Sequence, residues 1–269
     1  MRARTAAKTA LGLLRHVDRA PAEGATILIY HRVGGGSRDE LDLPVPAFAA
    51  QLDALVDSDH DVLSLDAALD RLDAGDRRPA VVLTFDDGFA DVHDVALPLL
   101  RERRLPFTLY LAAGLVGGTM AWEGSAASSQ GSPALTWAQL EALSGSGLCT
   151  IGNHTWDHAT PAAVDVGQLD RCSDAIDARL GARPRHFAWT WGVPVPSLLP
   201  AVRDRFRSAA TGEVGRNGPG GDRHALRRVP VRATDPPSFF AAKLRGGLWG
   251  ERAYGAVVEL ARGRRRGDS

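Results

Sequence analysis

Only two of the 269 residues are cysteine, Cys149 and Cys172, and they form no CxxC pair. That count excludes a disulfide framework, and both thiols are expected as small core or half-buried residues. Net charge is missing as well. The 32 Lys and Arg residues balance 32 Asp and Glu, so no global field draws the chain to nucleic acid or to an anionic membrane. The local exception is the tail Arg262-Gly-Arg264-Arg265-Arg266, which reads as a solvated end. No stretch approaches the roughly 18–20 apolar residues of a membrane span. Near the N-terminus the longest uncharged run, Thr9 to Leu14, is stopped by Arg15 and is shorter than the apolar segment of a secretory signal. The expectation is a soluble, cytoplasmic protein without repeats.

What is present is ordinary globular material: 44% hydrophobic and 24% charged residues, enough for a sizeable core. The length suits one barrel-sized domain or two small ones. Buried-strand patterns at Thr26–Tyr30, Asp61–Ser64, Val81–Phe85, Pro106–Leu111, Leu148–Gly152, Arg185–Trp189, Phe206–Ala209 and Arg228–Val231 alternate with helical stripes. Those stripes include Phe48/Leu52/Leu55, Leu65/Leu69/Leu72 and Leu169/Ile176/Leu180, with a last helix from about Pro237 to Leu244. Pro98 predicts a kink or a late start in the helix around Val92–Leu100, and Thr136-Trp-Ala-Gln139 fits a capping box. Gly117–Ser132, with Met120 and Trp122, reads as a long loop of the kind that forms lids or binding rims. About seven alternations without a linker predict a parallel sheet, and the count favours closure into a barrel. Residues 1–22 are expected as a helical extension with Leu11, Leu14 and Val17 on one face, 23–255 as the catalytic domain, and 256–269 as the basic tail.

Two stretches carry chemistry. Val81–Phe85 runs straight into Asp86-Asp87-Gly88. Neighbouring side chains on an extended strand point to opposite faces, so the two carboxylates share a site only if the chain turns there, with Gly88 as the hinge. Gly152-Asn-His154-Thr155-Trp-Asp-His158 places two imidazoles four residues apart, which a helical turn would put on one face. Both stretches follow predicted strands, so a parallel barrel brings them to one rim. Two His and one Asp make three ligands with a position left for water, the open arrangement of catalytic zinc-type centres. A second carboxylate beside them serves as general base, so one Asp binds the ion and the other takes the proton.

Thr84-Phe-Asp-Asp-Gly88 and His154-Thr155-x-x-His158 resemble the first two motifs of the polysaccharide deacetylase family (carbohydrate esterase family 4, NodB-homology domains), over roughly Ile27 to Leu244. The resemblance implies a distorted TIM-like (β/α) barrel with about seven parallel strands, within the α/β class. It implies metal-dependent removal of an N-acetyl group from an N-acetylhexosamine-containing glycan or glycoconjugate, releasing acetate and a free amine. By matched position Asp86 resembles the catalytic base, and Asp87, His154 and His158 the ligands of one divalent ion, zinc with cobalt or nickel as substitutes. Thr155 resembles a hydrogen-bonding position that steadies the site. Phe187-Ala-Trp-Thr-Trp-Gly192 resembles the groove-lining third motif, with the backbone N–H of Trp191 holding the oxyanion, and Trp189 and Trp122 as further sugar-stacking candidates.

Two departures stand out. Thr190 occupies a position that carries proline in the family. Ala188 stands where many members have an arginine that orients the catalytic Asp, although a subgroup shares the alanine. The Leu-Leu-His-type motif that supplies the general-acid His is missing. His31, after the strand ending at Tyr30, resembles a replacement found in a subgroup with permuted motifs that includes relatives of biofilm poly-N-acetylglucosamine deacetylases. His224 is a weaker candidate. The rival readings are a deacetylase-like amidohydrolase acting on a non-sugar C–N bond and a decayed, sugar-binding relative.

Overall fold

Ten short strands in chain order build the scaffold: β1 (Ala25–Tyr30), β2 (Arg32–Val33), β3 (Asp42–Leu43), β4 (Asp61–Val62), β5 (Ala80–Phe85), β6 (Phe107–Leu111), β7 (Cys149–Asn153), β8 (His186–Ala188), β9 (Ser208–Ala210) and β10 (Val229–Pro230). The computed structural model describes residues 4, 5, 8, 9, 23–125 and 131–255. The predicted helix face of Leu11, Leu14 and Val17 and the basic tail lie outside the described residues.

The main sheet runs in the order β10-β1-β5-β6-β7-β8-β9, and β4 joins the first half of β5. Every pairing in it is parallel. It is a curled, half-barrel sheet of the expected distorted TIM-like kind. All six residues of β1 and all six of β5 are buried, which is why these strands read as continuous apolar runs. Tyr30, Phe48, Phe85 and Phe107 interlock at centroid distances of 5.3 to 6.0 Å and anchor the β1–β5–β6 region to the helix Val45–Val56.

The two edges of the curl are linked by one stretch of chain. Leu226 exchanges backbone hydrogen bonds with β9 and its neighbour Thr211 (Leu226 N–H to Ala209 O, Thr211 N–H to Leu226 O), while Val229 and Pro230 pair with β1. Arg228 sits inside this closing stretch.

Helix signals hold in detail. Thr136 and Gln139 form the reciprocal capping box. Pro98 falls in the first turn of a helix, Leu97–Glu102, that follows a wider π-helical turn at Val92–Ala96. That is the late start a proline without an N–H imposes. Cys172 is buried and Cys149 half-buried, neither in a disulfide. No helix among the described residues is long and apolar enough to cross a membrane.

Candidate metal-dependent active site

Because the strands are parallel, residues that follow them share one rim. His31 follows β1, Asp86 and Asp87 follow β5, His154 follows β7, and the turn Thr190–Gly192 comes after β8. Tyr30 and Phe85 are in register, and the Asp86 N–H donates to Tyr30 O at 3.0 Å, which brings His31 beside the carboxylates. The turn that lets both acids face one site begins at Asp87 itself, at φ 77°, and continues through Gly88 at φ 107°. Gly88 is favoured there by its φ, and a Cβ would also lie 2.7 Å from Leu111 Cδ1, so that side chain would have to shift.

Asp87, His154 and His158 are buried, and one ligand atom from each lies within 4.8 Å of the others. The two Nε2 atoms face Asp87 Oδ1 at 3.3 and 3.4 Å, yet Oδ1 has no hydrogen-bond partner among the described residues. Three donor atoms converging on one point around a buried, orphaned carboxylate oxygen fit a divalent ion. His154 is set up for that role, since its Nδ1 lies 2.8 Å from Ala188 O and leaves Nε2 toward the cluster. Burial pushes the His158 ring down to about 4, against the pull of Asp87, so it is neutral and ready to ligate at neutral pH. Burial also disfavours charge on His154, but the facing Asp87 and the charges of Asp86 and Asp87 outweigh it and raise its proton affinity. Asp87 is buried too, and the imidazoles around it hold it below the usual carboxylate range.

The HxxxH pair is not helical. Residues 154–158 form an irregular loop, with Thr155 at φ 65° and His158 at φ 57°. Four of the five positive-φ non-glycine residues among those described, Asp87, Thr155, His158 and Trp191, belong to this rim. Each such residue costs on the order of 1–3 kcal/mol and persists only where its surroundings fix it. Side chains do that here. Asn153 Oδ1 accepts from Thr155 N–H, Gln168 Oε1 accepts from Trp156 N–H, and Thr155 Oγ1 accepts from Ala159 N–H.

Asp86 has a partner that sequence reading missed. Arg228 donates from Nη1 to Oδ1 at 2.7 Å and from Nη2 to Oδ2 at 2.9 Å, while its Nε donates to Thr211 O at 3.1 Å. Both groups are buried. Burial alone would raise the Asp86 carboxyl, and the Arg228 guanidinium, helped by His154 and His31, holds it below its ordinary value. The arginine expected at Ala188 is thus replaced in space by one from the sheet-closing stretch. A buried Arg that meets an acid 142 residues earlier in the chain has no local sequence signature.

The aromatic expectations divide. Trp122 packs on His158 at 4.4 Å and Trp191 at 5.4 Å, so both wall the ligand cluster, and Trp191 is 46% exposed. Trp189 does not line the groove. It is 1% exposed and packs on Phe187 at 5.0 Å within a cluster that includes Val202 and Phe206. The period of two puts Phe187 and Trp189 on the same outer face of the chain, away from the rim. The described part of the Gly117–Ser132 loop is a wall rather than a loose rim. Met120 is buried against Phe89 and Ala134, while residues 126–130 lie outside the described residues. His224 is turned away from the site, with Nε2 2.8 Å from Phe206 O.

Residues 73–204 match the sequence model described as polysaccharide deacetylase. Among solved structures the chain is similar to IcaB from Ammonifex degensii, with 28% identity and a TM-score of 0.70 over 86% of this chain and 98% of that one. Two others show the fold alone. The Streptococcus pyogenes deacetylase PplD in complex with acetate is 22% identical, with a TM-score of 0.70 over 84% of this chain and 99% of that one. The BpsB deacetylase domain from Bordetella bronchiseptica is 18% identical, with a TM-score of 0.62 over 80% and 98%. No curated protein matches the chain. The segment that matches the polysaccharide deacetylase model holds both paired motifs, which meet at one rim of a curled parallel sheet, and in fold and motifs the chain is similar to that family.

Proposed function

We propose that the protein is a metal-dependent N-deacetylase acting on an N-acetylhexosamine-containing glycan or glycoconjugate. The observation that carries this reading is the convergence of Asp87, His154 and His158 beside an arginine-paired carboxylate, Asp86. A divalent ion held by those three residues, zinc first and cobalt or nickel as substitutes, supplies Lewis acidity, acidifying a water and polarising the acetyl carbonyl.

Asp86 accepts the proton of the attacking water. Its pairing with Arg228 keeps it ionised but makes it a weak base, and a weak base can deprotonate water only if the pKa of that water falls from 15.7 to about 7. Base and ion therefore depend on each other, which favours the metal-dependent reading. The backbone N–H of Trp191, in the left-handed turn after β8, serves in this reading as the donor to the oxyanion as it forms. His31, beside the carboxylates, gives a proton to the leaving amine so that acetate and a free amine separate. Trp122 and Trp191 offer faces for the sugar ring.

Acetate release from N-acetylglucosamine oligomers by wild-type protein and Asp86→Asn tests the assignment. The variant is expected to retain metal and lose turnover; near-normal turnover by Asp86→Asn rejects Asp86 as the base.

A further inference from the structure

His154 and His158 are held in different ways. His154 is oriented through its ring, by the contact from Nδ1 to Ala188 O. His158 has no such partner: its buried Nδ1 makes no hydrogen bond among the described residues. What aims His158 is its backbone, at φ 57°, together with the flanking rings of Trp122 and Trp191. A β-carbon-bearing residue stays in that conformation only when neighbouring contacts over-determine it.

The residue that follows His158, Ala159, is held at both its backbone N–H and its carbonyl. Ala159 N–H donates to Thr155 Oγ1 at 3.2 Å, and the Ala159 carbonyl accepts from Thr190 Oγ1 at 2.7 Å. Thr190 is itself 2% exposed, so its hydroxyl has little water to turn to. The stretch Ala188–Thr190 therefore touches both ligand histidines, His154 through a backbone carbonyl and the His158 loop through the Thr190 hydroxyl. A proline at 190 has no hydroxyl to give.

We propose that Thr190 is a positioning residue for the ligand His158, fixing the Ala159 carbonyl and through it the backbone that aims the imidazole. The inference rests on the metal reading above. Its consequence is that removing the hydroxyl loosens the His158 loop and weakens metal binding, as loss of outer contacts around a ligand does, by about 10–100-fold.

The test compares wild-type, Thr190→Val and Thr190→Ser proteins for zinc affinity, by competition with a chelator at fixed pH. Melting of the metal-free proteins is followed in parallel. Thr190→Val is expected to bind zinc at least tenfold more weakly, and Thr190→Ser to restore affinity to within about threefold of wild type. A lower melting temperature in Thr190→Val with unchanged zinc affinity overturns the proposal, because a purely structural hydroxyl gives that result. Should Thr190→Val not fold, Thr190→Ala carries the same comparison. Hydrogen exchange of the Ala159 amide, compared between metal-free wild-type and Thr190→Val proteins, stands beside it: faster exchange in the variant supports the clamp, and an unchanged rate overturns it. Wild-type protein that binds no zinc refutes the metal reading instead, so the two failures are distinct.

Discussion

Replacing Arg228 by Gln should damage both the fold and the base, in a way pH can separate. Arg228 makes a two-pronged bond to Asp86 in a buried setting. Removing one partner of such a pair leaves an uncompensated buried charge, a loss of about 3–5 kcal/mol. At about 2–4 °C per kcal/mol for a chain of this size, melting at neutral pH should fall by about 6–20 °C. In the wild type Asp86 sits below its ordinary value of 3.8, so the pair stabilises the fold above that pH and the benefit is lost on acidification through the lower folded value. In Arg228→Gln burial loses its largest counterweight, His154 and His31 alone remain against it, and the folded carboxyl is expected to rise above the unfolded one. The folded state then binds the extra proton, and the variant should recover stability relative to wild type as pH falls from 8 to 5. The same displacement moves the acid limb of kcat/KM upward. Arg228→Lys, which keeps the charge but not the fork, should lie between the two. The assays are thermal melts and pH–rate profiles of acetate release. A Gln variant with wild-type melting and an unmoved acid limb would refute the reasoning.

Other consequences follow from the same geometry. His31→Ala should cost about 10²–10⁴ in turnover through loss of the proton donor, with metal content unchanged; an unaltered rate makes His31 a structural residue. Trp191→Ala should raise KM for an N-acetylated oligosaccharide with little change in melting, whereas Trp189→Ala should destabilise by about 3–5 kcal/mol as a core truncation; the reverse pattern contradicts their placement. Because His154 holds a proton more tightly than usual in the metal-free site, zinc must displace that proton. Zinc affinity should fall as pH falls, with proton release measurable by calorimetry in buffers of differing ionisation heat; pH-independent uptake refutes this.

The strands were legible because parallel strands covered on both faces are unbroken apolar runs, as in Ile27–Tyr30 and Val81–Phe85. Asp87, His154 and His158 were legible because each lies just past such a strand, and parallel order sends them to one rim. The helical reading of His154–His158 failed because the spacing is reached through left-handed residues held by Asn153, Gln168 and Thr190, contacts that no periodicity encodes. Arg228 was invisible because its partner Asp86 is far away in sequence and meets it only where the sheet closes. Both Arg228 and His31 also fall outside the matched residues 73–204. Trp189 and Trp191 look equivalent in sequence, and the turn after β8, with Trp191 at φ 59°, decides which of them is buried.

Acetate release from an N-acetylglucosamine oligomer, before chelation, after it, and after adding one equivalent of zinc, cobalt or nickel, tests the metal-dependent deacetylase most directly. The account predicts release by the isolated protein, none from metal-stripped protein, and recovery on adding one ion per chain. Full release from protein shown to be metal-free would contradict it.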